Sequence, residues 1–173
     1  MLKIKPVTRN SEDFQMIKTL YTSSFPKIEQ TPMWFLLQRA KKDYVEFNAY
    51  YDGEVFVGFV YLMLHENLTY IMYIAIDTKH RSKGYGSQIM NHIREVYPNN
   101  RIILSIEAED ENAENNAQRI KRKQFYIKNG YSYSGISSEM RGVICETLIS
   151  NGDCTTKEFL AINKKFERVS SFV

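Results

Sequence analysis

Ile74-Ala75-Ile76-Asp77-Thr78-Lys79-His80-Arg81-Ser82-Lys83-Gly84-Tyr85-Gly86-Ser87 is the stretch that decides how this chain is read. It opens as a short apolar strand and turns through a basic, glycine-containing loop. It then runs into a helix whose apolar positions are Ile89, Ile93, Val96 and Tyr97. Such a junction holds anions. The first N–H groups of a helix have no intrahelical partner and carry the positive end of its dipole. Gly84 and Gly86 let the backbone approach a diphosphate without a Cβ in the way, and Arg81 and Lys83 add charge. The spacing excludes two familiar phosphate loops. G-x-x-x-x-G-K-[ST] is absent, and the third glycine of a dinucleotide fingerprint would fall on Ile89. What stands is Arg81-x-x-Gly84-x-Gly86, which by itself also describes a tight strand-to-helix turn with a solvated basic rim.

Outward from that loop the chain alternates strands and helices. On the N-terminal side, Leu2 to Lys5 reads as a short strand. Asn10 or Ser11 caps a helix with the stripe Phe14, Ile17 and Tyr21, which Pro26 ends. Thr31 caps a second helix with Pro32 at its first position, and Met33, Leu36, Leu37 and Ala40 recur on its buried face. Val45 to Tyr51, Val55 to Leu64 and Leu68 to Asp77 read as three antiparallel strands, the first two joined by the hairpin turn Asp52-Gly53. On the C-terminal side, Pro98-Asn99-Asn100 ends the helix, and Arg101 to Ala108 is a strand rich in isoleucine. A basic helix then runs to Asn129, with Gly130 at its C-terminal cap. Strands follow at Tyr131 to Ile136 and Val143 to Ile149, and Thr155 with Glu158 forms a capping box before a last helix. The expected fold class is α/β (α+β): a central mixed, mostly antiparallel twisted sheet of about seven strands flanked by helices, as one domain over residues 1–173.

About forty residues beyond the glycine loop stands Phe125-Tyr126-Ile127-Lys128-Asn129-Gly130-Tyr131. These two blocks, in this order and with a strand between them, resemble the GNAT family of N-acetyltransferases. The order of elements matches nearly throughout, most specifically over Ile74 to Gly86 and Phe125 to Tyr131. The resemblance implies an acetyl group moved from acetyl-CoA to an amine by direct attack, with no metal. It implies that the backbone of Ile74, Ala75 and Ile76 binds pantetheine. Amides of Arg81, Ser82, Lys83, Gly84, Tyr85, Gly86 and Ser87 would hold the pyrophosphate. An N–H near Ile74 would stabilise the oxyanion, and Tyr126 would act as general acid toward the departing thiolate. Taken alone, Tyr126 would read as core packing beside Phe125 and Tyr131.

Two positions depart from the family. Where histone-modifying members carry a glutamate on the fourth strand, this chain has Tyr70, which leaves Glu107 on the fifth strand as the carboxylate for the base role. Where many members have an asparagine seven residues before the tyrosine, this chain has Arg119, which could meet a phosphate or face solvent. The acceptor is not named by the sequence. Glu29, between the first two helices, could bind a cationic amine. Trp34 and Phe35 fall off the buried stripe and either form a contact surface or pack under the loop. The acidic run Glu107, Glu109, Asp110, Glu111 and Glu114 either draws a cationic substrate or suits the dipole of the helix that follows.

Composition narrows the classes. The 173 residues are 43% apolar and 25% charged, which fits a folded domain and neither a disordered chain nor a fibre. A net charge of +3 gives no reason to expect nucleic acid, and the apolar run from Val55 to Leu64 is too short to cross a membrane. Cys145 and Cys154 read as reduced thiols in a cytoplasmic protein, and no histidine has metal-ligand spacing. Sheet edges and the last helix permit a homodimer without specifying one. An acyl-CoA-binding sensor that has lost catalysis is the alternative function.

Overall fold

The computed structural model describes residues 1–167. Its strands form one seven-stranded sheet with the order β1-β2-β3-β4-β5-β7-β6. They are β1 (Lys3–Pro6), β2 (Val45–Asp52), β3 (Val55–His65), β4 (Leu68–Ile76), β5 (Arg101–Glu107), β6 (Ser132–Met140) and β7 (Val143–Ser150). Five helices accompany them: α1 (Phe14–Ser24), α2 (Met33–Arg39), α3 (Tyr85–Val96), α4 (Asn116–Lys128) and α5 (Thr156–Glu167). β1 with β2, β2 with β3, β5 with β7 and β6 with β7 are antiparallel, whereas β4 and β5 are parallel. The described residues group into two compact units. The first holds residues 1–63 and 71–96, the second residues 64–70 and 97 onward.

In the first unit an aromatic core explains the local sequence. Phe47 on β2 meets Phe59 and Tyr61 on β3 edge to face, at 5.7 and 5.3 Å between ring centres. Tyr21 of α1 packs on Phe59, and the Tyr61 hydroxyl donates to the carbonyl of Leu36 in α2. The period-two alternation of the strands places these rings on one face. Tyr50, one residue along from Ala49, bonds His92 of α3 instead, at 3.0 Å. Two sequence expectations are corrected here. α1 begins after Asp13 with no side-chain cap, because Ser11 spends its hydroxyl on the Thr8 amide. α2 begins after Pro32, and its buried residues are Phe35, Leu36 and Arg39 rather than a stripe through Met33 and Leu37. Arg39 is only 1% exposed, with its guanidinium over the rings of Phe35 and Tyr44. Cation–π contact favours a charged residue on that face.

In the second unit β5 lies between the start of β4 and β7. Its parallel register with β4 covers Leu68↔Arg101, Thr69↔Ile102 and Tyr70↔Ile103, and its antiparallel register with β7 covers six positions from Ile102↔Ser150 to Glu107↔Cys145. Both cysteines are buried. The capping box of α5 forms as its sequence indicates. The Thr155 amide donates to Glu158 Oε2 at 2.9 Å, and the Glu158 amide donates to Thr155 Oγ1 at 3.2 Å. The other carboxylate oxygen of Glu158 takes a hydrogen bond from Arg101 at 2.8 Å, which ties the helix start to the start of β5. Among the described residues, no helix is long and apolar enough to cross a membrane.

The Arg101 bond, with help from Thr155, holds the Glu158 carboxyl down at about 2. A depressed carboxyl stabilises the fold while ionised. That contribution is whole above the usual carboxylate range, about 4.3, and is lost as pH falls through that range toward 2. Amide exchange across α5, followed as pH is lowered, should therefore lose protection between about pH 4.5 and 2. A Glu158→Gln variant should already show the weakened helix start at neutral pH. Equal protection of α5 in the two proteins at pH 7 would refute this role for Glu158.

Candidate functional site

The glycine loop lies in the first unit. After β4, Asp77 caps a single 3-10 turn, Thr78–His80, by accepting the Lys79 amide on Oδ1 at 2.9 Å. The next residues alternate in backbone hand: Ser82 has φ +61° and Gly84 has φ +84°. A positive φ at Gly84 carries no Cβ penalty, which is the physical reason for glycine there. A Cβ placed on Gly84 would meet nothing within 4 Å, so the space beyond the loop is open. The first helical bond of α3 runs from the Gln88 amide to the Gly84 carbonyl. The amides of Tyr85, Gly86 and Ser87 precede it and have no partner one turn back. Arg81, Ser82, Lys83 and Gly84 are all exposed. Together these features make a row of backbone N–H groups with a positive rim, suited to a diphosphate. Tyr85 braces the loop by donating its hydroxyl to Asp52 Oδ2 at 2.7 Å, and Arg81 Nε turns back to the Ile76 carbonyl.

The end of β4 has its own constraint. β4, which runs to Ile76, approaches β3 so closely that a Cβ on Gly58 would collide with the Ala75 carbonyl oxygen. The Asp77 amide donates to the Val57 carbonyl at 2.9 Å and fixes the strand end. Gly58 was not singled out by sequence. Its signal was an isolated glycine inside an apolar strand, which marks a close backbone approach.

The acceptor candidates also belong to the first unit. Glu29 is half-buried in the α1–α2 connection, and its carbonyl accepts the Tyr73 hydroxyl at 2.7 Å. Trp34 is 52% exposed and lines a groove of about 680 Å³ with Leu37, Gln38, Lys41, Glu46 and Asn48. Glu29 is not among the residues that line that groove. Phe35, which the sequence left as either a contact surface or packing under the loop, is buried.

Tyr126, Glu107 and Arg119 belong to the second unit. Tyr126 is 7% exposed on α4, with Phe125 and Tyr131 edge-on at 5.1 and 6.0 Å. Its hydroxyl has no hydrogen-bond partner among the described residues. Burial pushes this phenol up to about 12, with the charge of Arg122 acting in the opposite direction. Glu107 and Arg119 are brought together, with Nε 3.3 Å from Oε2. Asn115 donates to that same Oε2 at 3.0 Å. The guanidinium also donates to Asn115 Oδ1 and to the Ala108 carbonyl, at 2.9 and 2.8 Å. Glu107 therefore keeps Oε1 outside this network, whereas Arg119 is largely spent inside it. Glu109 of the acidic run pairs with Lys123, which also reaches Glu146 at 3.0 Å. No cluster of three metal-ligating side chains occurs among the described residues.

Comparison with known proteins places this geometry. Residues 14–123 match the family model described as the acetyltransferase (GNAT) family. A GNAT-family protein from Bacteroides thetaiotaomicron superposes with a TM-score of 0.76 at 18% identity, over 99% of both chains. An aminoglycoside 6'-N-acetyltransferase complexed with coenzyme A superposes at 0.65 with 13% identity, over 86% of this chain and 96% of that one. A GNAT acetyltransferase from Elizabethkingia anophelis with acetyl-CoA bound superposes at 0.59 with 12% identity, over 87% and 98%. No curated protein matches the sequence. With the family model covering well over half of its length, the chain belongs to the GNAT acetyltransferase family.

Proposed function

We propose that this protein transfers an acetyl group from acetyl-CoA to a primary amine. The observation that carries the reading is the row of α3's first amides at Tyr85, Gly86 and Ser87, reached through the exposed basic loop from Arg81 to Gly84. That row suits the pyrophosphate, and the backbone of Ile74, Ala75 and Ile76 suits the amide-bearing pantetheine arm. Coenzyme A and acetyl-CoA in the two structural neighbours support the donor. Acetyl-CoA is an intracellular metabolite, and the proposal places the reaction in the cytoplasm.

The donor supplies a thioester whose carbonyl accepts the amine, after which the C–S bond breaks and the thiolate leaves. An amine must be neutral to attack, and Glu107 takes the departing proton through a water at Oε1. Arg119 and Asn115 hold the opposite oxygen, so Arg119 acts as the positioning residue of Glu107 rather than as a phosphate ligand. A backbone N–H near Ile74 stabilises the oxyanion. Tyr126 donates its hydroxyl proton toward the thiolate. A phenol at about 12 stays protonated throughout the working range, so the donor is always loaded. Glu29 and Trp34 are the proposed acceptor contacts. A cationic amine fits the carboxylate, and the aminoglycoside-modifying neighbour is one instance of that chemistry.

The test is thiol release from acetyl-CoA with a panel of amines. Tyr126→Phe should lower kcat by about 100-fold or more while acetyl-CoA still binds. In wild type, turnover should rise with pH as the amine deprotonates and show no descending limb below about pH 10. A Phe variant that turns over normally would remove Tyr126 from the chemistry. Binding of acetyl-CoA without thiol release from any amine would instead support a sensor of the same fold.

Gly58 offers a separate check on the donor strand. Gly58→Ala forces the Ala75 carbonyl to move, at a cost of about 1–3 kcal/mol. Acetyl-CoA affinity should fall about tenfold with no change in the amine panel's ranking. Unchanged affinity in a folded variant would show that the donor does not use this stretch of β4.

A further inference from the structure

The connection between α1 and α2 is held by side chains at three places. Gln30 Nε2 donates to the carbonyls of Thr22 and Phe25 at 3.0 and 2.7 Å, closing the loop on the end of α1. The Tyr21 hydroxyl accepts the Thr31 amide at 2.7 Å and donates to the Thr31 carbonyl at 2.9 Å. Tyr73 makes the third attachment, and of these side chains it alone comes from a strand. Its hydroxyl donates to the Glu29 carbonyl at 2.7 Å and lies 3.1 Å from Thr31 Oγ1. A phenol has one proton to give. The Glu29 carbonyl takes it, so the Thr31 hydroxyl must be the donor in the second bond.

The position of Tyr73 in the chain gives these bonds their interest. It immediately precedes Ile74-Ala75-Ile76, the segment assigned to the donor. It is 5% exposed, and its ring is fixed edge-on by Tyr21 and Phe25 at 5.0 and 4.9 Å. The hydroxyl is thus carried on a rigid support at the end of β4 and reaches the backbone of the residue that bears the candidate acceptor carboxylate. We propose that Tyr73 is a positioning residue that fixes the Glu29 loop against β4 and so sets recognition of a cationic amine acceptor. The proposal rests on the acetyltransferase reading above.

Tyr73→Phe is the informative change, because it keeps the ring contacts and removes only the hydroxyl. Amide exchange should accelerate about tenfold at Glu29, Gln30 and Thr31, with the amides of α1 and α3 unchanged. With spermidine as the acceptor probe, KM for the amine should rise about tenfold while kcat and the KM for acetyl-CoA stay within about twofold. Glu29→Gln should raise the spermidine KM in the same way, and the double variant should add little, since both act on one contact. Unchanged loop exchange in Tyr73→Phe would overturn the latch. Faster loop exchange with an unaltered amine KM, or an equal rise in the acetyl-CoA KM, would overturn its role in acceptor recognition. No thiol release by the wild-type protein with spermidine or any other panel amine would signal failure of the acetyltransferase reading itself, whatever the loop does.

Discussion

The close approach of β4 to β3, where a Cβ on Gly58 would collide with the Ala75 carbonyl oxygen, fixes the strand end from which the glycine loop departs, and most of the functional reading depends on that end. The sequence supplies the reasons that the strand end stays in place. Gly58 admits the Ala75 carbonyl, Val57 takes the Asp77 amide, and Asp77 turns the chain into the glycine loop. A strand end that delivers the chain to a helix N-terminus can meet a diphosphate.

The two units hold different kinds of chemistry. The first holds backbone: the first amides of α3 at Tyr85 to Ser87, the exposed basic loop before them, and a loop around Glu29 tied by three side chains. The second gives side chains: a buried phenol at Tyr126 without a hydrogen-bond partner among the described residues, and a carboxylate at Glu107 with one oxygen fixed by Arg119 and Asn115. Burial is the dominant influence on Tyr126 and keeps it a proton donor rather than a phenolate. The Glu107–Arg119 pair braces the end of β5, since the same guanidinium also binds the Ala108 carbonyl.

The elements legible in the sequence were those set by local physics. Gly84 needed a positive φ, Asp52-Gly53 needed a hairpin turn, and Thr155 with Glu158 formed the capping box. Contacts distant in sequence were not legible. Arg119 looked like a phosphate ligand or a solvated residue because nothing in α4 shows that Glu107 packs beside it. Trp34 and Phe35 look alike in sequence, yet Phe35 is buried and Trp34 is exposed, and α2 turns inward a face that includes Arg39. Thr31 has the chemistry of a helix cap, but its amide and hydroxyl are claimed by Tyr21 and Tyr73, and α2 starts after Pro32. Tyr73 itself sits among apolar strand residues, and periodicity gives no hint that its hydroxyl reaches a loop 44 residues away in sequence.

Isothermal titration of the intact protein with acetyl-CoA tests the central claim most directly, since the loop, the end of β4 and the proposed reaction all presuppose that donor. The account predicts saturable one-to-one binding with a dissociation constant in the range of about 1 μM to 1 mM usual for enzyme substrates. Affinity should weaken as salt screens the basic rim of the loop. Absence of binding at millimolar acetyl-CoA would contradict it and would leave the amide row at Tyr85 to Ser87 as a helix start with no assigned ligand.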